Sequence, residues 1–150
     1  MTGLQEKVRQ MYGRQAAMRE KLKPVERRLK TLDEHIRQAD YYTEFKGIYK
    51  QYQQKKSNKR EAFYESHRRE LTLYEAADRY LKGVMNGHTT MPVKTWKAEQ
   101  TKLTAEKEAL SREYGLLKDE TREVEQIRRS VEALLREDRQ DKSRSLAAEL

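Results

Sequence analysis

The sequence predicts an all-α fold, a long antiparallel coiled-coil hairpin with a shorter middle helix at its tip. Only six glycines and two prolines interrupt 150 residues, and the chain is rich in Glu, Lys, Arg, Leu, Ala and Gln, which are good helix formers. Apolar residues recur at alternating steps of four and three, the spacing of a coiled-coil seam. Since only 35% of the residues are hydrophobic and 39% are charged, a narrow seam is expected instead of a broad globular core.

The first predicted helix covers about residues 4–55. Its seam holds for five heptads with one polar member, Gln15, and becomes aromatic after Ala39. Pro24 removes a backbone hydrogen bond and crowds the preceding turn, which predicts a kink near Pro24 or two helices in close succession. The seam comprises Leu4, Val8, Met11, Gln15, Met18, Leu22, Val25, Leu29, Leu32, Ile36 and Ala39, and continues with Tyr42, Phe45, Ile48 or Tyr49, and Tyr52.

The second predicted helix covers residues 58–85. Ser57 and Asn58 are favourable N-cap residues, and Asn86-Gly87 tolerates the positive φ of a helix end. The loop that follows contains Pro92, which marks the start of the next helix. The apolar stripe consists of Phe63, His67, Leu71, Tyr74, Ala77 or Asp78, Leu81 and Val84.

The third predicted helix covers residues 93–137. Its first seam position repeats every seven residues, and Ile127 and Leu134 are expected to supply the second position late in the helix. Residues 138–150 lose the period and are expected to form a frayed or disordered tail, which leaves residues 1–137 as one elongated helical domain. The first position is held by Trp96, Leu103, Leu110, Leu117, Val124 and Val131.

The first and third seams are similar in length and are separated by short turns. Short connections usually join spatial neighbours, which favours pairing of the two long helices within one chain. The competing arrangement is a coiled coil between chains through residues 4–39, that is, a homodimer.

Positive charge is concentrated at the proposed tip. Residues 46–60 contain six lysines or arginines and no acid, in a chain with a net charge of +8. Basic side chains neutralise phosphates and tyrosine rings stack on bases, so this end is a candidate nucleic-acid surface. Alternatively, the lysines solvate an exposed tip while the tyrosines fill a small core. The candidate residues are Lys46, Lys50, Lys55, Lys56, Lys59, Arg60, Arg68 and Arg69, with Tyr41 and Tyr49, the rings off the strict seam that are left to stack on a ligand.

The chain shows no pattern of an enzyme. It has no cysteine, and its three histidines are separated by 32 and 21 residues, so neither a thiolate zinc site nor a His-x-x-x-His pair exists. We predict no catalytic residue, metal, cofactor or small-molecule substrate. No apolar run approaches the roughly 20 residues that span a bilayer, and a cytoplasmic protein without membrane contact is expected.

Four stretches of the chain resemble a known family. In order they are "LDEHIRQADYYTEFKGIYKQYQQKK", "FYESHRRELTLYEAADRYLKGV", "PVKTWKAEQTKLTAEKEAL" and "REYGLLKDETREVEQIRRSVEALL". Together they resemble the helical C-terminal region of relaxases, the mobilisation nucleases of conjugative and mobilisable elements of Firmicutes. In that family the His-rich metal site and the nucleophilic tyrosine belong to a preceding domain. The resemblance therefore implies no catalytic residue in this chain and suggests that it is a segment of a larger protein.

Composition, charge and resemblance together predict a non-catalytic helical accessory domain of a conjugative relaxase. Its expected partners are DNA, including single-stranded DNA, or relaxosome proteins. The alternative is a coiled-coil scaffold or dimerisation module that does not bind nucleic acid.

Overall fold

The computed structural model describes residues 3–149, and the side chains of residues 3–148. These residues form four α-helices, which confirms the predicted all-α class. The helices are α1 Gly3–Gln54, α2 Ser57–Ser66, α3 Arg68–Met85 and α4 Val93–Glu149.

The chain divides into two compact units. The first contains residues up to Pro24 together with Glu106 onward, and the second contains Val25–Ala105. Helices α1 and α4 each contribute to both units.

In the first unit, α1 and α4 are antiparallel. The side chains of Gln5 and Glu132 are hydrogen-bonded at 3.2 Å, and the guanidinium of Arg19 donates to the hydroxyl of Tyr114 at 3.0 Å. Residue numbers thus fall along α4 as they rise along α1. The apolar side chains between them are buried at Val8, Met11, Leu22 and Leu117.

In the second unit, the seam of α1 is covered by two helices in succession. Around Arg28 the partner is α4, because Nε and Nη2 of the guanidinium donate to the two carboxylate oxygens of Glu99 at 2.8 and 3.0 Å. From His35 onward α3 also contacts α1, and the ring of Tyr42 lies 5.1 Å from that of Tyr74. The core of the unit is built on Leu32, Ala39, Leu81 and Trp96.

The predicted pairing within one chain is confirmed in each unit. Leu32 is fully buried and Ala39 is 2% exposed, so the seam of residues 4–39 faces helices of the same chain. A homodimer through this seam would have to displace α4 and α3, which is why we discard that arrangement.

Two expectations about helix ends had different outcomes. Asn86 and Gly87 adopt the predicted positive φ, 51° and 91°, and α4 begins at Val93, directly after Pro92. Helix α1, however, is uninterrupted across Pro24, so the alternative of two successive helices is wrong. Leu22 and Val25 are both buried beside the proline, and their packing offsets the lost hydrogen bond. The predicted bend of the helix at Pro24 stays a prediction.

The single helix predicted for residues 58–85 is two helices. The backbone leaves helical geometry at His67, with φ −122° and ψ 30°, and Ser57 lies inside α2 after an extended Lys56 instead of capping it. Aromatic packing explains the break. Phe63 and Tyr64 contact Tyr52 while α3 packs Tyr74 further back along α1, and tertiary contacts of this kind override helix propensity.

The second seam position of α4 also differs from the prediction. Ile127 and Leu134 are 54% and 65% exposed, whereas Thr121 is buried and Arg128 half-buried. As far as Arg128 the seam therefore continues four residues after each heptad position and not three, and the polar side chains at those places concealed it. The prediction of Val131 as a seam residue is wrong, since it is 38% exposed.

The expected frayed tail is helical as far as Glu149; Leu150 lies outside the described residues. Residues 133–148 are all exposed, as the loss of apolar periodicity implied. Helix propensity is nevertheless enough to keep this exposed segment helical. Residues 138–149 contain neither glycine nor proline, and Lys142 pairs with Asp138 at 3.3 Å.

Candidate nucleic-acid interface

The ten candidate residues all lie in the second unit. They come from the last turns of α1, the turn into α2, α2 itself and the first turn of α3. Their surroundings divide them into groups with different roles.

The first group lines an open surface groove between α1 and α3. Tyr41, Arg68 and Arg69 form its walls with Thr72 and Leu73, around a volume of about 650 Å³. The Tyr41 ring stacks on Phe45 at 6.3 Å. Arg68 has only a long, exposed ion pair with Glu65, at 3.7 Å, which holds it weakly. Both arginines are exposed and therefore accessible to an anion.

Tyr49, in contrast, belongs to the packing of the unit. Its ring stacks on Tyr74 at 4.4 Å, and Tyr42 stacks on Tyr74 at 5.1 Å. Burial, together with hydrogen bonding to Tyr42, raises the pKa of Tyr74 well above its usual range. The expectation that Tyr49 is left over for a ligand thus does not fit its surroundings, since its ring packs against Tyr74 and also lies 6.1 Å from the ring of Tyr52.

Arg60 has a structural contact. Its Nε donates to the carbonyl of Lys55 at 2.9 Å and its Nη2 to the carbonyl of Gln53 at 3.0 Å. Carbonyls at the end of a helix have no partner inside it, so this guanidinium caps α1.

Two lysines lie over aromatic rings. The Nζ of Lys55 is 5.1 Å from the centre of the Phe63 ring, and that of Lys46 is 5.7 Å from the centre of the Tyr42 ring. Both are cation–π distances. Lys50, Lys56 and Lys59 are exposed and contribute positive potential to the surface.

The break at His67 matters to the groove because it makes Arg68 and Arg69 the first residues of α3. Sequence reasoning placed them inside a longer helix. The helix dipole disfavours cations at an N-terminus. Glu70 in the same first turn offsets this in part, and a bound anion would offset it further. Thr72 and Leu73 were also missed, since no charge or periodicity marked them.

A second polar cluster lies in the core of the same unit. Nδ1 of His35 is 2.8 Å from the hydroxyl of Tyr80, and its ring centre is 4.9 Å from that of Trp96. Burial, and next the charge of Arg28, lower the pKa of His35. His67 packs on Phe63 at 4.5 Å, as expected for a histidine on the apolar stripe, while His88 is exposed in the loop before α4.

Within residues 3–149, no group of three or more His, Asp or Glu side chains is placed to hold a metal ion. Among the described helices, none has the length and apolar character to cross a membrane.

Comparisons of the chain with protein-family models, curated proteins and solved structures found no match. The relation to relaxases therefore stays a prediction, and the site has to be interpreted from its own geometry.

Proposed function

We propose that this chain is a non-catalytic helical accessory domain of a conjugative relaxase and that its basic surface binds single-stranded DNA. The observation that carries the proposal is the groove in which Tyr41 meets Arg68 and Arg69, close in sequence to the acid-free run of residues 46–60. The relaxase part of the proposal is supported by the four resembling stretches of sequence.

The two arginines suit a phosphate. Guanidinium groups donate hydrogen bonds in a planar fork that matches phosphate oxygens, and a bound phosphate would offset the unfavourable position of both cations at the start of α3. Lys50, Lys56 and Lys59 add attraction that depends little on sequence.

Tyr41 suits a base. Its ring is half-buried, stacked on Phe45 at 6.3 Å, and borders the groove. A ring held in this way stacks on an unpaired base without losing much side-chain entropy. Bases in a duplex are stacked on each other, which favours a single strand as the ligand.

The test is binding of a fluorescent single-stranded oligonucleotide to wild type and to the triple variant Tyr41→Ala, Arg68→Gln, Arg69→Gln. We expect at least about tenfold weaker binding, because one stacked base alone contributes roughly 1–3 kcal/mol. The slope of log affinity against log salt should fall by about 1.4, for two lost phosphate contacts on a single strand.

A matched control carries the same changes elsewhere. Tyr12→Ala, Arg136→Gln, Arg139→Gln removes one exposed tyrosine and two exposed arginines from the first unit and should bind like wild type. Equal losses in both variants would mean that net charge alone attracts DNA. Negligible wild-type binding at low salt would reject the proposal and favour a scaffold without a nucleic-acid role.

A further inference from the structure

Exposed apolar side chains of the first unit are concentrated on α4. Of the seven large hydrophobic side chains that are exposed in the described chain, six belong to this helix. They are Leu116, Ile127, Val131, Leu134, Leu135 and Leu146.

Three of the six form a stripe. Ile127, Val131 and Leu134 are spaced by four and three residues, which puts them on one side of a helix. They are 54%, 38% and 65% exposed. Thr121 and Arg128 mark the face of α4 that packs on α1. The stripe lies on the neighbouring side of the helix. It is a coiled-coil seam without a partner helix in the described chain.

The apolar residues are arranged symmetrically along the helix. Ile127 and Leu135 each lie four residues from Val131, and Leu116 and Leu146 each lie 15 residues from it. A two-fold axis at Val131, with two helices running antiparallel, would therefore bring Ile127 level with Leu135 of the second copy and Leu116 level with Leu146.

Charge agrees with the same arrangement. Residues 116–146 contain eight basic and eight acidic residues, so this segment is neutral in a chain whose net charge is +8. The antiparallel arrangement brings Glu120 level with Lys142 and Glu123 level with Arg139. A parallel pair in register would instead set each of these glutamates beside its own copy, which is unfavourable.

We infer that the Ile127–Val131–Leu134 stripe is a homotypic interface, on which α4 of a second copy of this chain packs antiparallel with Val131 at the two-fold axis. An interface of this kind is isologous, since the same patch serves both copies. It does not involve the seam of residues 4–39, which is covered within the chain, and it is independent of the proposed DNA groove.

Sedimentation equilibrium over a range of concentrations tests the association. The wild type should shift from the 17.9 kDa monomer towards twice that mass, and Ile127→Glu, Leu134→Glu should weaken the association at least tenfold. Because both side chains are exposed, the variant should keep its helix content. Ala133→Glu, on another side of the same helical turn and also exposed, is the matched control and should associate like wild type.

Disulfide trapping tests the direction. The chain has no cysteine of its own, so Ile127→Cys and Leu135→Cys can be introduced separately. An antiparallel pair cross-links mainly in a mixture of the two variants, whereas a parallel pair cross-links each variant with itself.

Three results would overturn the inference. They are a single 17.9 kDa species up to about 1 mM, association that Ile127→Glu, Leu134→Glu leaves unchanged, and cross-linking of each cysteine variant only with itself. DNA binding by the same preparations is a separate readout, so either proposal can fail alone.

Discussion

His35 shows how one residue can link the stability of a unit to pH. Its side chain is 8% exposed and lies between Tyr80 and Trp96. The hydroxyl of Tyr80 can donate to a bare Nδ1 or accept from a protonated one, so the hydrogen bond survives in either state. What disfavours the charged ring is burial, and then the nearby guanidinium of Arg28, while Glu34 and Glu99 act in the opposite direction.

We expect the free energy of unfolding to fall as the pH is lowered through and below about 6.5, the ordinary pKa of histidine, until the pKa of His35 in the folded chain is reached. The pKa of His35 is lower in the folded chain than in the unfolded one. Between these two values the unfolded state holds more protons, so stability decreases as protons are added. Denaturant unfolding at several pH values measures the slope.

His35→Phe should flatten this slope whatever its effect on overall stability, since it removes the titrating group. His88→Gln is the control, because His88 is exposed and its removal should leave the slope in place. A slope that persists unchanged in His35→Phe would show that other groups cause it.

At the scale of the helices, sequence reasoning succeeded where the seam is apolar. The stripe from Leu4 to Ala39 and the stripe of α3 were predicted residue by residue, because a step of four or three between apolar positions has one helical interpretation. It failed where the buried positions are polar. Thr121 and Arg128 carry the seam of α4, and the more hydrophobic Ile127 and Leu134 concealed them.

The candidate site was only partly predictable for a related reason. Charge clustering located the basic surface. The cap formed by Arg60, however, depends on the conformation of the turn between α1 and α2, and the stack of Tyr49 on Tyr74 depends on the packing of α3 against α1. The break at His67, which brings Arg68 and Arg69 to a helix start, likewise depends on aromatic packing against α1.

Gln15 and Thr121 provide a test at the scale of paired helices. The amide of Gln15 donates to Oγ1 of Thr121 at 2.8 Å, and that hydroxyl donates to the carbonyl of Leu117 at 2.6 Å. Both side chains are buried. One polar layer in an apolar seam fixes which turn of α1 faces which turn of α4.

We expect Thr121→Val to cost about 1–3 kcal/mol, because it leaves a buried amide without its acceptor. The double variant Gln15→Leu, Thr121→Val should recover most of this loss, since both polar groups are then gone. Chemical denaturation of the four proteins in the cycle measures the coupling. Additive effects would show that the two side chains do not interact.

Across the whole molecule, the length of a helix does not indicate how many of its side chains are buried. Helix α4 has 57 residues, yet every side chain from residue 133 to residue 148 is exposed. The charge is equally uneven, since residues 46–60 carry six of the net positive charges. Buried side chains and net positive charge are thus each confined to part of the chain.

Deletion of residues 138–150 should lower the helical signal in proportion to the residues removed and leave the Tm within about 3 °C, since exposed positions contribute within about 0.5 kcal/mol. Circular dichroism at low protein concentration, where the chain is monomeric, measures both. An unchanged signal would mean that this segment is not helical in solution, and a large fall in Tm would mean that it stabilises the rest.

The contact between Trp96 and His35 has an experimental use of its own. Trp96 is the sole tryptophan of the chain, is 6% exposed, and belongs to the second unit. Its emission spectrum is therefore a built-in optical probe of that unit alone, and a protonated imidazole 4.9 Å away would quench it. Fluorescence can therefore follow local opening around His35 without a label.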